Sequence, residues 1–137
     1  MIVKGITIHN TGNKLSAKEQ KKILKDNGKL NYCHFLVDEN DVVKTISLTR
    51  PAIHTGKGYD LGNMHTIAIE ICRSACSDEI YFKAEEKAVE LIKELMQKFN
   101  LTRSNIYFHN DFDRQMYCPH RILDTYKSKK NFLDKYF

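Results

Sequence analysis

The sequence predicts an α/β domain, a mixed β-sheet of about five to six strands flanked by helices. Two observations carry that expectation. Residues 2–9, 66–72 and 105–109 alternate apolar and polar side chains with the period of two that suits strands. Between them, residues 16–27 and 83–99 show helix signals, the second with a long apolar stripe. Strands alternating with helices along one chain bury their apolar faces as a sheet layered with helices. At 137 residues the chain is large enough for a core without staples, and a single domain over 1–137 is expected.

In order, residues 2–9 form the first strand, with Ile6 and Ile8 on one face and Thr7 and His9 on the other. Gly12 and Asn13 break it. Ser16 is a good N-cap and Glu19, three residues on, completes a capping box for a weakly apolar surface helix that Gly28 stops. Residues 31–37 and 42–47 read as a hairpin joined by the acidic turn Asp38 to Asp41. A loop with His54, Gly56, Gly58 and Gly62 follows, where backbone can approach a ligand closely. In 66–72, Ile67, Ile69 and Ile71 point one way, and Ala68, Glu70 and Cys72 the other. A mid-strand carboxylate such as Glu70 must lie in a cleft or be paired. Ala84, Ala88, Leu91, Ile92, Leu95 and Phe99 line the helix over 83–99. The last strand, 105–109, puts Ile106 and Phe108 inward and His109 outward. Pro119 suits the first turn of a short helix, and Phe132, Leu133, Tyr136 and Phe137 have the spacing of a helix packed on the core. Parity therefore places His9, Glu70 and His109 on one sheet face.

The chemistry concentrates near the end of the chain. His109 is followed nine residues later by Cys118 and then Pro119, and imidazole and thiolate both bind zinc well. A third ligand is found in His9, at the end of the first strand. Two histidines and a cysteine leave the fourth tetrahedral position open, which distinguishes catalytic from structural zinc.

Four blocks, in order, carry a family resemblance: ITIHNT at 6–11, CHFLVD at 33–38, HTGKG at 54–58 running through Asn63 to TIAIEIC at 66–72, and His109 through CPHRIL at 118–123. Together they resemble the zinc-dependent N-acetylmuramoyl-L-alanine amidases of phage endolysins and bacterial autolysins, which are related to the peptidoglycan recognition proteins. The resemblance implies that fold, with His9, His109 and Cys118 as zinc ligands, Glu70 as catalytic acid–base, and peptidoglycan as substrate. His54 lies in a segment that lines the cleft in relatives, and Asn63 belongs to the same block. Substrate contact is expected for both, with support of the ligands from behind as the other reading for His54. Three positions depart from the family. Many relatives carry a lysine where this chain has Met116, and the spacing from His109 to Cys118 is one residue longer than usual. Many also have a tyrosine where this chain has Cys33; strand alternation turns the adjacent Tyr32 to the opposite face. Arg114 in the lengthened loop is either a replacement cation for the substrate carbonyl or a surface residue facing Asp111 or Asp113. His34 is structural or functional, and His65 and His120 structural or on the surface.

The net charge of +5 favours an anionic partner, either nucleic acid or wall polymer. A nucleic-acid-binding zinc domain is excluded by the absence of paired ligand knuckles and of an aromatic RNA-binding motif. The four cysteines make no disulfide framework and fit a reducing compartment. Neither a signal peptide nor a membrane span is read, so the expectation is synthesis in the cytoplasm and action at the cell wall after holin-mediated or lytic release. With no room for a wall-binding module, a compact lysin or an isolated catalytic domain is expected. The rival function is a recognition domain that binds peptidoglycan without cutting it; retention of Cys118 favours the enzyme.

Overall fold

The computed structural model describes residues 1–56 and 58–137. Among the described residues, five strands make one sheet, in the order β3-β2-β4-β1-β5: β1 is Gly5–Asn10, β2 Phe35–Val37, β3 Val42–Lys44, β4 Thr66–Ile71 and β5 Ile106–Phe108. The sheet is mixed, as expected. β1 runs parallel to β4 and β5, and β2 parallel to β4, while β3 closes the edge as the antiparallel partner of β2. The helices are α1 Ala17–Asp26, α2 Leu61–His65, α3 Asp78–Phe99, α4 His109–Phe112, α5 His120–Tyr126 and α6 Lys129–Tyr136. Among the described residues, no helix is long and apolar enough to cross a membrane.

One sheet face carries the main core. Ile6, Ile8, Ile67, Ile69, Ile71, Ile106 and Phe108 pack there against Tyr81, Ala84, Ala88, Ile92 and Leu95 of α3 and against Phe132 and Leu133 of α6. Such fully buried aliphatic and aromatic side chains contribute about 1.5–3 kcal/mol each. The opposite face is small and mixed, with Leu36, Ala68 and Cys72 beside Ala17, Cys33 and Ala52. The expected capping box holds α1: Ser16 Oγ accepts from Glu19 N at 3.2 Å and Glu19 Oε1 accepts from Ser16 N at 3.1 Å. Buried Asp38 joins this helix to the hairpin. One oxygen accepts from Ala17 N at 2.7 Å, the other from Asn40 N and Asp41 N in the turn.

Four local expectations change. Residues 31–33 are not strand: Leu30–Tyr32 is a single 3₁₀ turn, and β2 begins at Phe35. α3 starts five residues before the expected 83, because Asp78 and Glu79 occupy its first turn after the N-cap Ser77. The glycine loop contains α2, capped by Asp60, whose side chain accepts from Asn63 N. Pro119 is the N-cap of α5 rather than a residue of its first turn, and the Cys118–Pro119 peptide is cis.

Candidate active site

His9 and Glu70 are register partners on the adjacent parallel strands β1 and β4, so their side chains leave the same face. β5 continues that register through Ile8↔Phe108, which brings His109, the first residue of α4, beside His9. Their ring centroids are 4.8 Å apart. Cys118 returns to this point because Asn110 N donates to Cys118 O at 3.1 Å, closing the loop after α4. Its Sγ lies 3.7 Å from His9 Nδ1. The ligating atoms of His9, His109 and Cys118 all lie within 4.8 Å of one another. Bonds of about 2.0–2.3 Å to one tetrahedral centre would separate such atoms by about 3.5 Å, a contraction within side-chain reach.

The electrostatics suit a cation. Burial, and next the charges of His54 and His109, hold the His9 imidazole well below its usual range; burial also lowers His109. Both rings are thus neutral and offer lone pairs. Burial, then the neighbouring charge of Glu70, pushes the Cys118 thiol up to about 12. A thiolate here needs a positive partner, and binding a divalent ion would release the thiol proton. Desolvation raises Glu70 to about 7, and among the described residues no donor meets its carboxylate. A carboxylic acid poised near neutrality in a cleft is the range in which general acid–base groups work.

The three ligands and Glu70 line a single cleft of about 440 Å³ together with Asn10, Tyr32, Ile53, His54, Gly56, Asp113 and Met116. Tyr32 is therefore on the cleft side, contrary to the alternation argument, because the 3₁₀ turn that carries it has no two-residue period. The other expected substrate contacts divide. His54 lines the cleft but is only 8% exposed, with Nδ1 2.9 Å from His9 Nε2. Asn63 is fully buried and saturated: Oδ1 accepts from His54 N and Thr55 N, and Nδ2 donates to Gly58 O. It shapes the loop rather than facing a ligand. Arg114 is exposed and lines a surface depression with Asp111, Phe112, Asp113 and Gln115, and it is not among the residues that line the cleft. Among the described residues, no lysine or arginine lines the cleft; Lys57 of the glycine loop lies outside them.

His34 is structural: Nδ1 accepts from Ala68 N at 2.9 Å, which leaves Nε2 to donate to Arg50 O at 2.8 Å. Sequence reasoning missed Asn10, next to His9. Its Oδ1 accepts from Arg121 N and Ile122 N at the start of α5, and its Nδ2 donates to Tyr81 Oη. It thereby ties His9's strand to the segment just after Cys118. The only sequence signal was its place in the ITIHNT block.

Residues 1–121 match the family model described as N-acetylmuramoyl-L-alanine amidase. The chain belongs to the N-acetylmuramoyl-L-alanine amidase family. It is 37% identical over 119 residues to N-acetylmuramoyl-L-alanine amidase CwlA of Bacillus subtilis (strain 168), covering 86% of this chain and 43% of that one. The structure of PlyL superposes with a TM-score of 0.90 at 32% identity, over 98% of this chain and 84% of the other. The catalytic domain of XlyA gives 0.83 at 33% identity, over 93% and 83%. The chain thus spans less than half the length of the curated relatives it matches. Its fold and the mixed five-stranded sheet are those of the family.

Proposed function

We propose that this chain is a zinc-dependent amidase domain that hydrolyses the amide between the lactyl group of N-acetylmuramic acid and L-alanine in peptidoglycan, in the setting of a phage or prophage lysin. The observation that carries the proposal is the juxtaposition of His9, His109 and Cys118 with Glu70 raised to about 7 in one cleft. The relatives' printed names support the bond, and one of them is the endolysin LysK of Staphylococcus phage K, 29% identical over 129 residues.

Two neutral imidazoles and a thiol fit zinc, and His9, His109 and Cys118 would hold it with one position open. When bound there, zinc supplies Lewis acidity toward the amide carbonyl and acidifies the attacking water. Glu70 accepts that water's proton and then delivers it to the departing nitrogen of L-alanine, and a pKa near 7 lets it serve in both directions. Among the described lining residues no Lys or Arg would meet charge on the carbonyl oxygen, and zinc held by His9, His109 and Cys118 would supply such stabilisation. Action at the cell wall after lytic release belongs to the same proposal.

Digestion of purified cell wall tests it. New L-alanine amino termini without new reducing ends are expected; reducing ends would mean a glycosidase, and wall binding without either product would mean a recognition domain.

A further inference from the structure

His54 takes no part in the chemistry above, yet it is held from every side. Its backbone N and that of Thr55 donate to Asn63 Oδ1 at 2.7 and 2.9 Å, and Asn63 N donates to Asp60 Oδ1 at 2.8 Å. The ring is fixed at both nitrogens: Nε2 lies 3.0 Å from Gly62 O, and Nδ1 lies 2.9 Å from His9 Nε2. Gly62 sits where it does because nothing larger fits; a Cβ there would lie 2.3 Å from Thr55 Cγ2.

A carbonyl oxygen only accepts, so His54 Nε2 must carry the hydrogen. The nearest other oxygen, Thr66 Oγ1 at 3.4 Å, spends its own hydrogen on the same Gly62 carbonyl at 2.7 Å. A neutral imidazole has one N–H, so His54 Nδ1 presents a lone pair to His9. His9 Nε2 must then donate, which leaves the lone pair of His9 on Nδ1, the nitrogen 3.7 Å from Cys118 Sγ. Each proton position follows from the acceptor before it, beginning at a main-chain carbonyl that cannot change its role.

We infer that His54 is a positioning residue, whose Nδ1 fixes His9 as the Nε2–H tautomer and so aims the His9 Nδ1 lone pair at the metal position. The inference rests on the three-ligand reading of the site. Ligating histidines commonly donate their second N–H to a carboxylate or carbonyl, and loss of such a partner costs about 10- to 100-fold in metal affinity. Here a second histidine stands between the ligand and the carbonyl, so the orientation of His9 depends on the loop from His54 to Asn63. Substrate contact is not required of His54 in this role.

The test is nitrogen NMR on ¹⁵N-labelled, metal-free protein at neutral pH, together with zinc affinity measured by competition with a chelating dye. In the parent, the proton of His9 is expected on Nε2 and that of His54 on Nε2. A scalar coupling across the hydrogen bond should join His9 Nε2 to His54 Nδ1. His54→Leu, which keeps bulk but offers no acceptor, should weaken zinc binding about 10- to 100-fold. His54→Asn places an amide oxygen near the Nδ1 position and should recover most of that loss. A His9 proton on Nδ1 in the parent, or equal zinc affinity in the Leu and Asn variants, would overturn the relay. Should the Leu variant not fold, the parent spectrum decides alone. The relay is read without metal and the three-ligand site from zinc stoichiometry, so either can fail without the other.

Discussion

Glu70 carries a cost that its role explains, and Glu70→Gln should expose both. The glutamine keeps the shape and removes the ionisation. Because the folded-state pKa of about 7 lies above the usual 4.5, the folded chain holds this proton more tightly than the unfolded chain does. Stability from the protonated acid is therefore full below 4.5 and is lost as pH rises through about 7. The shift corresponds to about 3 kcal/mol at pH 8, or roughly 10 °C in Tm for a chain of this size. With the metal stripped by a chelator, parent and variant should melt together near pH 5. By pH 8 the variant should melt roughly 10 °C higher, and taking the difference between the two chains cancels the other titrating groups. In the zinc-loaded protein the same substitution should lower kcat by about 100- to 10,000-fold without loss of zinc. A Tm difference that stays flat between pH 5 and pH 8 would refute the desolvated-carboxylate argument, and wall lysis within a few-fold of the parent would refute the catalytic role.

Further predictions follow from the same geometry. His9→Ala and Cys118→Ser should each lose most of the zinc measured by elemental analysis, and full occupancy in both would remove the ligand assignment. Arg114→Ala should leave kcat within about twofold, since the side chain lies outside the cleft; a drop approaching the 100-fold typical of a lost oxyanion donor would place it back in the chemistry. Asn10→Ala should cost about 2–3 kcal/mol in denaturant unfolding, because it orphans Arg121 N and Ile122 N and removes the donor to Tyr81 Oη, and it should weaken zinc binding through the displaced segment after Cys118. Asn10→Asp keeps the acceptor for α5 and should bind zinc better than Asn10→Ala; equal affinity would separate this link from the site.

What was legible in the sequence lay in regular periods. Alternation at Ile6 and Ile8, at Ile67, Ile69 and Ile71, and at Ile106 and Phe108 put His9, Glu70 and His109 on one face, and the parallel registers agree. Where the chain has no such period, alternation does not tell which way a side chain points. Tyr32 was turned away from the cleft by a strand rule that a 3₁₀ turn does not obey. α3 reaches back to Asp78 because Ser77, Asp78 and Glu79 carry the signals of a helix start, which an apolar stripe counted from Ala84 does not register. Long-range contacts left no local mark at all. Glu85 is fully buried, yet Tyr81, Tyr126 and Tyr136 from three helices donate to its carboxyl group, which satisfies a polar side chain that helical periodicity alone would have rejected. The placements of Asn63 and Arg114 were also set by tertiary structure, one sealed inside its loop and the other exposed outside the cleft.

Hydrolysis of one amide by a metal site built from His9, His109 and Cys118 with Glu70 can be followed by cleaving a muramoyl-L-alanyl peptide in ¹⁸O-enriched water, using metal-free protein with and without one equivalent of zinc, and locating the label by mass spectrometry. Cleavage is expected only with zinc, saturating at one zinc per chain, with a single ¹⁸O in the lactyl carboxylate and an unlabelled L-alanine amine. Cleavage independent of zinc, enzyme-dependent label in a stem-peptide carboxylate instead of the lactyl one, or no cleavage at full zinc occupancy would contradict it.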